Sequence, residues 1–546
     1  MRMKASRVLV NCLENEGVQR IFGIPGEENM DTMDALADSS IEFILTKHEN
    51  SAAYMAGVQA RLTNQPGICL STLGPGATNM VNGVADAFLS NLPLIALCGQ
   101  AGQNRMDPSQ KQVIDLVNLY KPVTKESLSV RSPSTVPMLV RKAFDTARRE
   151  RPGPVMLELP EDIMKLDCPE APIPVCPIVR PRHESSALNR IAEVLSQAER
   201  PLVLAGHGII RAEASKELRS FARSWNIPVA HTWMGSGIMS FEDPLSLNTV
   251  GMRNFDIALA AFEKADVIML AGYDPPEFQP QFWNIGKPKT IVYIGEAPVG
   301  YAHNLNVNIQ VLGGLRYMLK SLYRIGVPKH NWISDIRDRL WEEVNSIHPD
   351  GAGMNPKNAV KAVREVMGLG DIVVPDVGAH LIWFARNYPV RKENTLLLPN
   401  GLITMGVGVP GALAAKMCRP ERDVVAVVGD AGFMMTSAEL ETAKRVGANF
   451  VTIIFNDSGL GLIKVKMKRS CGRDYGCDFN NPDFVKYAES FGAKGYQVER
   501  ADELKETLRR CLKAKELAVI DAKMDYSGND ELFRPSSVES KGCQEV

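Results

Sequence analysis

Residues 429–461 read GDAGFMMTSAELETAKRVGANFVTIIFNDSGLG. The apolar run VVAVV leads into Gly429 and Asp430, and a second run, FVTIIFN, ends on Asp457, 27 residues after Asp430. Short apolar runs bounded by glycine and polar residues read as buried strands, with a helical pattern between them. This is a strand–helix–strand unit of a parallel sheet. Ligands of open parallel sheets bind beyond the carboxyl ends of the strands, and consecutive strands are commonly neighbours. Two carboxylates there, with the carbonyl of the Gly459 turn, give hard oxygen donors that suit Mg²⁺. The backbone N–H groups of Ala431 and Gly432 would face the same phosphate. Two surface turns that merely end in acids explain the spacing as well. Thr436 or Ser437 is expected to cap the next helix, with Glu439 and Glu441 near its start.

The same rhythm extends outward. IEFILT (41–46), GICLSTLG (67–74), PLIALCG (93–99) and PVMLELP (154–160) alternate with helical patterns. PLVLAG (201–206), VIMLAG (267–272) and TIVYIG (290–295) form a second group. DIVVPDVG (371–378), TLLLPNG (395–401), VVAVVGD (424–430), FVTIIFND (450–457) and AVIDAK (518–523) form a third. Prolines at 169, 172, 174, 177 and 181 mark residues 167–182 as a linker. HPDGAGMNPKN (348–358) is a second break. The expectation is an α/β chain of three doubly wound parallel-sheet domains at 1–166, 183–345 and 356–525, with a polar tail over 526–546.

A net charge of −1 gives no reason to expect nucleic acid or a membrane surface. No apolar run reaches the roughly 18 residues of a membrane span. Residues 1–23 read as an amphipathic helix rather than a signal peptide. The ten cysteines are scattered and read as reduced thiols, which places the chain in the cytoplasm.

Gly406-Val-Gly408-Val-Pro-Gly411 spells a dinucleotide fingerprint, which would make the chain an NAD-binding oxidoreductase. That fingerprint needs a strand running straight into its first glycine. Here NGLITM intervenes and Pro410 starts a helix, so close helix packing explains the glycines better. Glu49 follows IEFILT and opens a helix, where acids are favoured by the dipole alone. The small residues around it (ENSAAYMAG) also suit a general acid/base group at a buried interface.

The spacing of Asp430 and Asp457, and HEN around Glu49, resemble the motifs of thiamine diphosphate-dependent enzymes. IFGIPGEEN (21–29), STLGPGATN (71–79), RPGPVMLELPED (151–162), DVGAHLIWFAR (376–386) and NGLITMGVGVPGA (400–412) resemble that family in the same order. GYDPPEFQPQFWN (272–284) and KYAESFGAKGYQVE (486–499) are similar to its acetolactate synthase branch, in the FAD-independent catabolic form.

The resemblance implies pyrimidine-binding, central and diphosphate-binding domains. It implies thiamine diphosphate and Mg²⁺ as cofactors, with no FAD. The implied active site lies between subunits of a homodimer or dimer of dimers. Glu49 would hydrogen-bond the aminopyrimidine and assist proton removal from the thiazolium. Met405 would hold the cofactor bent, and Ile403 would contact the pyrimidine through its backbone. Gly378, Ala379 and His380 would hold the diphosphate, beside Gly429, Asp430, Ala431 and Gly432. Asp430, Asp457 and the Gly459 carbonyl would hold the metal. Gln112 would lie in the substrate pocket.

Lys466 departs from the family, which carries tryptophan or glutamine there. It either attracts a carboxylate or is a solvated lysine in the basic run KVKMKR. All eight histidines are separated, so the paired histidines of the pyruvate decarboxylase branch are missing. The implied reaction is decarboxylation of pyruvate and ligation to a second 2-keto acid, giving 2-acetolactate and CO₂. A glyoxylate carboligase-like enzyme or an FAD-containing acetohydroxyacid synthase are the alternatives within the class.

Overall fold

The valine- and isoleucine-rich runs become the inner strands of three parallel sheets in a computed structural model that describes residues 3–107, 109–176, 185–253, 255–351 and 353–533. The first sheet has six strands: β1 (Arg20–Gly23), β2 (Glu42–Leu45), β3 (Gly67–Ser71), β4 (Leu94–Gln100), β5 (Glu126–Ser129) and β6 (Pro154–Pro160), ordered β2-β1-β3-β4-β6-β5. The central sheet has β7 (Pro201–Ala205), β8 (Val229–Thr232), β9 (Ser246–Val250), β10 (Val267–Ala271), β11 (Thr290–Gly295) and β12 (Ile309–Leu312), ordered β9-β8-β7-β10-β11-β12. The third has β13 (Ile372–Pro375), β14 (Val424–Gly429), β15 (Val451–Asn456), β16 (Lys494–Val498) and β17 (Ala518–Lys523), ordered β13-β14-β15-β17-β16. Strands β3, β4, β6, β7, β10 and β17 are buried almost end to end, as strands covered on both faces must be.

The first and third sheets share one core. Helix α2 (Glu49–Thr63) packs against both α3 (Pro75–Leu89) and α5 (Gly408–Cys418); α4 is Ala379–Asn387. Ala52, Ala53 and Ala56 meet Ala412, Leu413 and Ala415 in that core, because only small side chains let helices lie this close. A Cβ on Gly83 would come within 2.5 Å of the Ala53 Cβ.

Several expectations need correction. TLLLPNG forms no strand, only a bridge between Leu396 and Val373. The Val373 N–H donates to Thr395 and the Leu397 N–H to Val373, after which Pro399 stops the pairing. The N-terminal segment is not one helix: α1 (Ala5–Asn15) ends before β1. The polar tail does not start at 526. Ser527–Phe533 is a 3₁₀ helix with Leu532 and Asn529 buried, and residues 534–546 lie outside the described residues. Of the linker, Asp167–Cys168 pairs with Met3–Lys4, 169–176 has no regular structure, and 177–182 lies outside the described residues. No helix among the described residues is long and apolar enough to cross a membrane.

Candidate active site

Strands β14 and β15 are neighbours, with Gly429 opposite Phe455. Asp430 and Asp457 therefore both emerge just past the carboxyl edge of the third sheet. Asp430 opens helix α6 (Asp430–Thr436) and is 1% exposed. Its Oδ1 accepts from the Ala431 N–H at 2.8 Å. Its Oδ2 accepts from the Ser458 N–H at 2.8 Å and from Asn481 Nδ2 at 2.7 Å. Asn456 Oδ1 accepts from the same Asn481 amide at 3.0 Å, and Asn456 Nδ2 donates to Asp521 at 2.7 Å. Ser458, at φ 55°, turns the chain so that Gly459 follows against Asp430. Burial raises the Asp430 pKa against the pull of these donors, and burial followed by the charge of Asp430 pushes Asp457 up to about 7.

The two acids line a cavity of about 110 Å³ together with Gly378, Ala379, His380, Met405, Gly429, Ala431, Gly432, Gly459 and Tyr526. Two of its glycines leave no room for a side chain unless a carboxylate shifts. A Cβ on Gly461 would lie 2.4 Å from Asp457 Oδ2, and one on Gly432 would lie 2.3 Å from Asp376 Oδ2. Burial pushes the His380 ring down to about 3, so it is neutral, and its buried Nε2 has no partner. Two hard carboxylates, a carbonyl-bearing turn and an unpartnered imidazole nitrogen fit a divalent cation with a diphosphate. Among the described residues no three His, Cys, Asp or Glu side chains converge.

The expectation for Ala431 needs correction in detail: its N–H is already taken by Asp430. Neither Thr436 nor Ser437 caps the next helix. The Thr436 hydroxyl donates to the Gly406 carbonyl, Ser437 pairs with the Tyr487 hydroxyl, and helix α7 (Glu439–Arg445) starts after Ala438.

The fingerprint glycines at 406–411 form no dinucleotide turn. Gly406 and Gly408 lie against Asp376, which is wholly buried and accepts from the Gly406, Val407 and Val377 N–H groups, while Gly411 packs on Val374 and Val58. Gly406 has φ 91°, and a Cβ on Gly408 would strike Val428 at 2.5 Å. Asp376 thus pins the segment that carries Ile403 and Met405. The other end of that segment docks on the first domain. Tyr54 and Asn82 bond the Thr404 hydroxyl at 2.9 and 3.1 Å, and the Ser90 hydroxyl accepts from the Gly401 N–H at 3.1 Å. Ile403 is held at φ 53°, which a β-branched residue adopts only under constraint.

Glu49 begins α2 behind His48, whose ring caps the helix by accepting from the Asn50 N–H. It is 7% exposed, and its Oε2 accepts from Asn79 Nδ2 at 3.0 Å. A Cβ on Gly76 would lie 3.1 Å from Glu49 Oε1, and one on Gly74 would lie 2.5 Å from the Gln112 carbonyl. The Gly74–Gly76 turn thus brings Glu49 and Gln112 to one end of the first sheet; Gln112 itself sits at φ 67°. Neither residue lines the third-domain cavity of the same chain, and neither does Ile403. Lys466 is exposed on α8 (Gly461–Cys471), one turn beyond the cavity-lining Leu462 and Ile463. Partial burial and the nearby Arg253 lower its pKa.

Sequence reasoning misses Asp376, Asn481, Lys464 and Tyr526. Lys464 pairs with Asp478 at 2.6 Å beside the Gly459 turn. Tyr526 sits beyond the carboxyl end of β17, so the rule that finds Asp430 and Asp457 applies to it as well.

Three family profiles match the chain. They are the N-terminal TPP binding domain of thiamine pyrophosphate enzymes over residues 3–119, the central domain over 188–322 and the C-terminal TPP binding domain over 376–522. The chain is 33% identical to a probable acetolactate synthase large subunit of Methanocaldococcus jannaschii, over 96% of this chain and 92% of that one. It is 31% identical to an acetolactate synthase of Bacillus subtilis (97% and 95% covered). It is also 31% identical to a catabolic acetolactate synthase of Raoultella terrigena (96% of each). With its three domains matched in order and its relatives aligned end to end, the chain belongs to the thiamine pyrophosphate enzyme family, close to the acetolactate synthases.

Proposed function

We propose that this enzyme decarboxylates pyruvate and joins the remaining two-carbon unit to a second 2-keto acid, giving 2-acetolactate and CO₂. The observation that carries the reading is the pair Asp430 and Asp457 on neighbouring strand ends, in a glycine-walled cavity of a chain with acetolactate synthase relatives throughout its length. Thiamine diphosphate, when bound, supplies the electron sink for loss of CO₂. Asp430, Asp457 and the Gly459 carbonyl would hold Mg²⁺. Gly378, His380 and the start of α6 would hold the diphosphate. Asp376, through Gly406, positions the segment of Met405, which would meet the cofactor.

Glu49 is assigned the proton transfer at the aminopyrimidine, and a second copy of the chain supplies it. Two observations support this arrangement. Glu49 is absent from the cavity of its own chain, and the cavity-lining Ile463 stands exposed, as do Leu402, Ile403, Met434 and Met435 close in sequence to the lining residues Met405 and Gly432. Exposed apolar residues of this kind are what a subunit interface covers. Gln112 and Lys466 are assigned to substrate, with Lys466 beside Arg253 facing a carboxylate.

The reading needs no flavin. At the switch point of the central sheet the Gly208 N–H donates to the Gly272 carbonyl at 2.9 Å, and the two loops close on each other. The test is incubation of the enzyme with pyruvate, thiamine diphosphate and Mg²⁺. We expect 2-acetolactate; acetaldehyde without acetolactate overturns the assignment.

A further inference from the structure

Tyr526 belongs to the segment that composition alone marks as tail. The structure fixes it from both sides. The preceding Met524 N–H donates to the Asn456 carbonyl at 3.0 Å and the Asp525 N–H to Met354 at 2.9 Å. After it, the Asn529 N–H donates to the Tyr526 carbonyl at 3.0 Å, and Asn529 Oδ1 accepts from Trp383 Nε1 at 2.9 Å. The ring lies against Gly461, where a Cβ would come 3.3 Å from its Cδ2, and it lines the cavity of Asp430 and Asp457. Its hydroxyl is buried and has no hydrogen-bond partner. Buried phenols ordinarily find one, and leaving a donor unmatched costs free energy. A position held this firmly around an unmatched donor is preorganised for a ligand acceptor.

We propose that Tyr526 is a further binding residue of this cavity, its hydroxyl donating to an anionic oxygen of a metal-bound diphosphate. The inference rests on the reading of the cavity as a diphosphate site. The neighbouring carboxylates Asp430 and Asp457 would hold the metal, which leaves the phenol to the phosphate. The group is a neutral donor, so it adds no charge to the site.

The test uses the full chain and Tyr526→Phe, which removes one oxygen and keeps the ring. Affinity for thiamine diphosphate is measured by tryptophan fluorescence at saturating Mg²⁺, and again for pyrophosphate with Mg²⁺. A hydrogen bond to a charged acceptor predicts about 10- to 100-fold weaker binding of both. The melting temperature in EDTA is expected to stay the same or rise, because the lost hydroxyl had no partner there. Affinities within twofold of the parent overturn the proposal, and so does a loss confined to thiamine diphosphate. A lower melting temperature in EDTA also overturns it, since the hydroxyl would then serve the empty fold. Failure of the parent itself to bind thiamine diphosphate is a separate result, which sinks the cofactor reading instead.

Discussion

Asp457→Asn is expected to stabilise the protein when metal is withheld and to weaken it when metal is present. The reason is the crowding of carboxylates. Burial, then Asp430, pushes Asp457 from its ordinary 3.8 to about 7. A shift of about three pKa units corresponds to about 4 kcal/mol, and partial solvation of Asp457 roughly halves that to about 2 kcal/mol. The sign depends on which state holds the proton more tightly. Here the folded state does, so this contribution to stability is complete below about pH 3.8 and is lost as pH rises through about 7. Asparagine cannot ionise and loses nothing. Urea unfolding in EDTA should therefore show the variant gaining about 1–2 kcal/mol on the parent between pH 5 and pH 8. Adding Mg²⁺ and thiamine diphosphate should reverse the order at pH 8, because only the parent gains fully from ligand binding. A variant less stable than the parent in EDTA at pH 8, or an advantage equal at both pH values, would refute the reasoning.

Three further substitutions separate the parts of the site. Glu49→Gln should lower turnover by orders of magnitude while thiamine diphosphate still binds; normal turnover would remove Glu49 from proton transfer. Gly432→Ala places a methyl group 2.3 Å from Asp376 Oδ2, and should cost about 1–3 kcal/mol by overpacking while weakening cofactor affinity through Gly406 and Met405. Unchanged thermal unfolding and cofactor affinity would show that the Asp376 contact is slack. Glu277, buried in the central domain and pushed by burial to about 7, gives a control far from the metal. Glu277→Gln should gain up to about 3 kcal/mol on the parent as pH rises from about 4.5 to above 7, whether or not Mg²⁺ is added. A gain that depends on Mg²⁺ would contradict the assignment of the metal to the third domain.

Strand-end acids are legible because buried parallel strands announce themselves as apolar runs, and the residues just past their carboxyl ends must face the ligand edge. That logic reaches Asp430 and Asp457 and stops at AVIDAK, three residues short of Tyr526. The segment YSGNDELF looks like tail because its packing rests on a few scattered side chains, Tyr526, Asn529, Leu532 and Phe533. Thr436 and Ser437 suit caps on local grounds, but their hydroxyls serve distant partners, Gly406 and Tyr487. The strands ESLS (126–129), VAHT (229–232) and SLNTV (246–250) escape sequence reading because they are short and carry polar residues. The glycines of 406–411 can be set apart from a dinucleotide turn on spacing alone. The carboxylate against which Gly406 and Gly408 lie, Asp376, is 30 residues from Gly406 in sequence and only the fold brings it there.

The central claim is a carboligation that depends on metal and cofactor held at Asp430 and Asp457. Its most direct measurement is the stoichiometry of pyruvate turnover by enzyme stripped of ligands and then reconstituted. The account predicts two pyruvates consumed and one CO₂ released per 2-acetolactate formed, only when thiamine diphosphate and Mg²⁺ are both restored. Turnover that survives omission of either, or CO₂ released with no acetolactate formed, would contradict it.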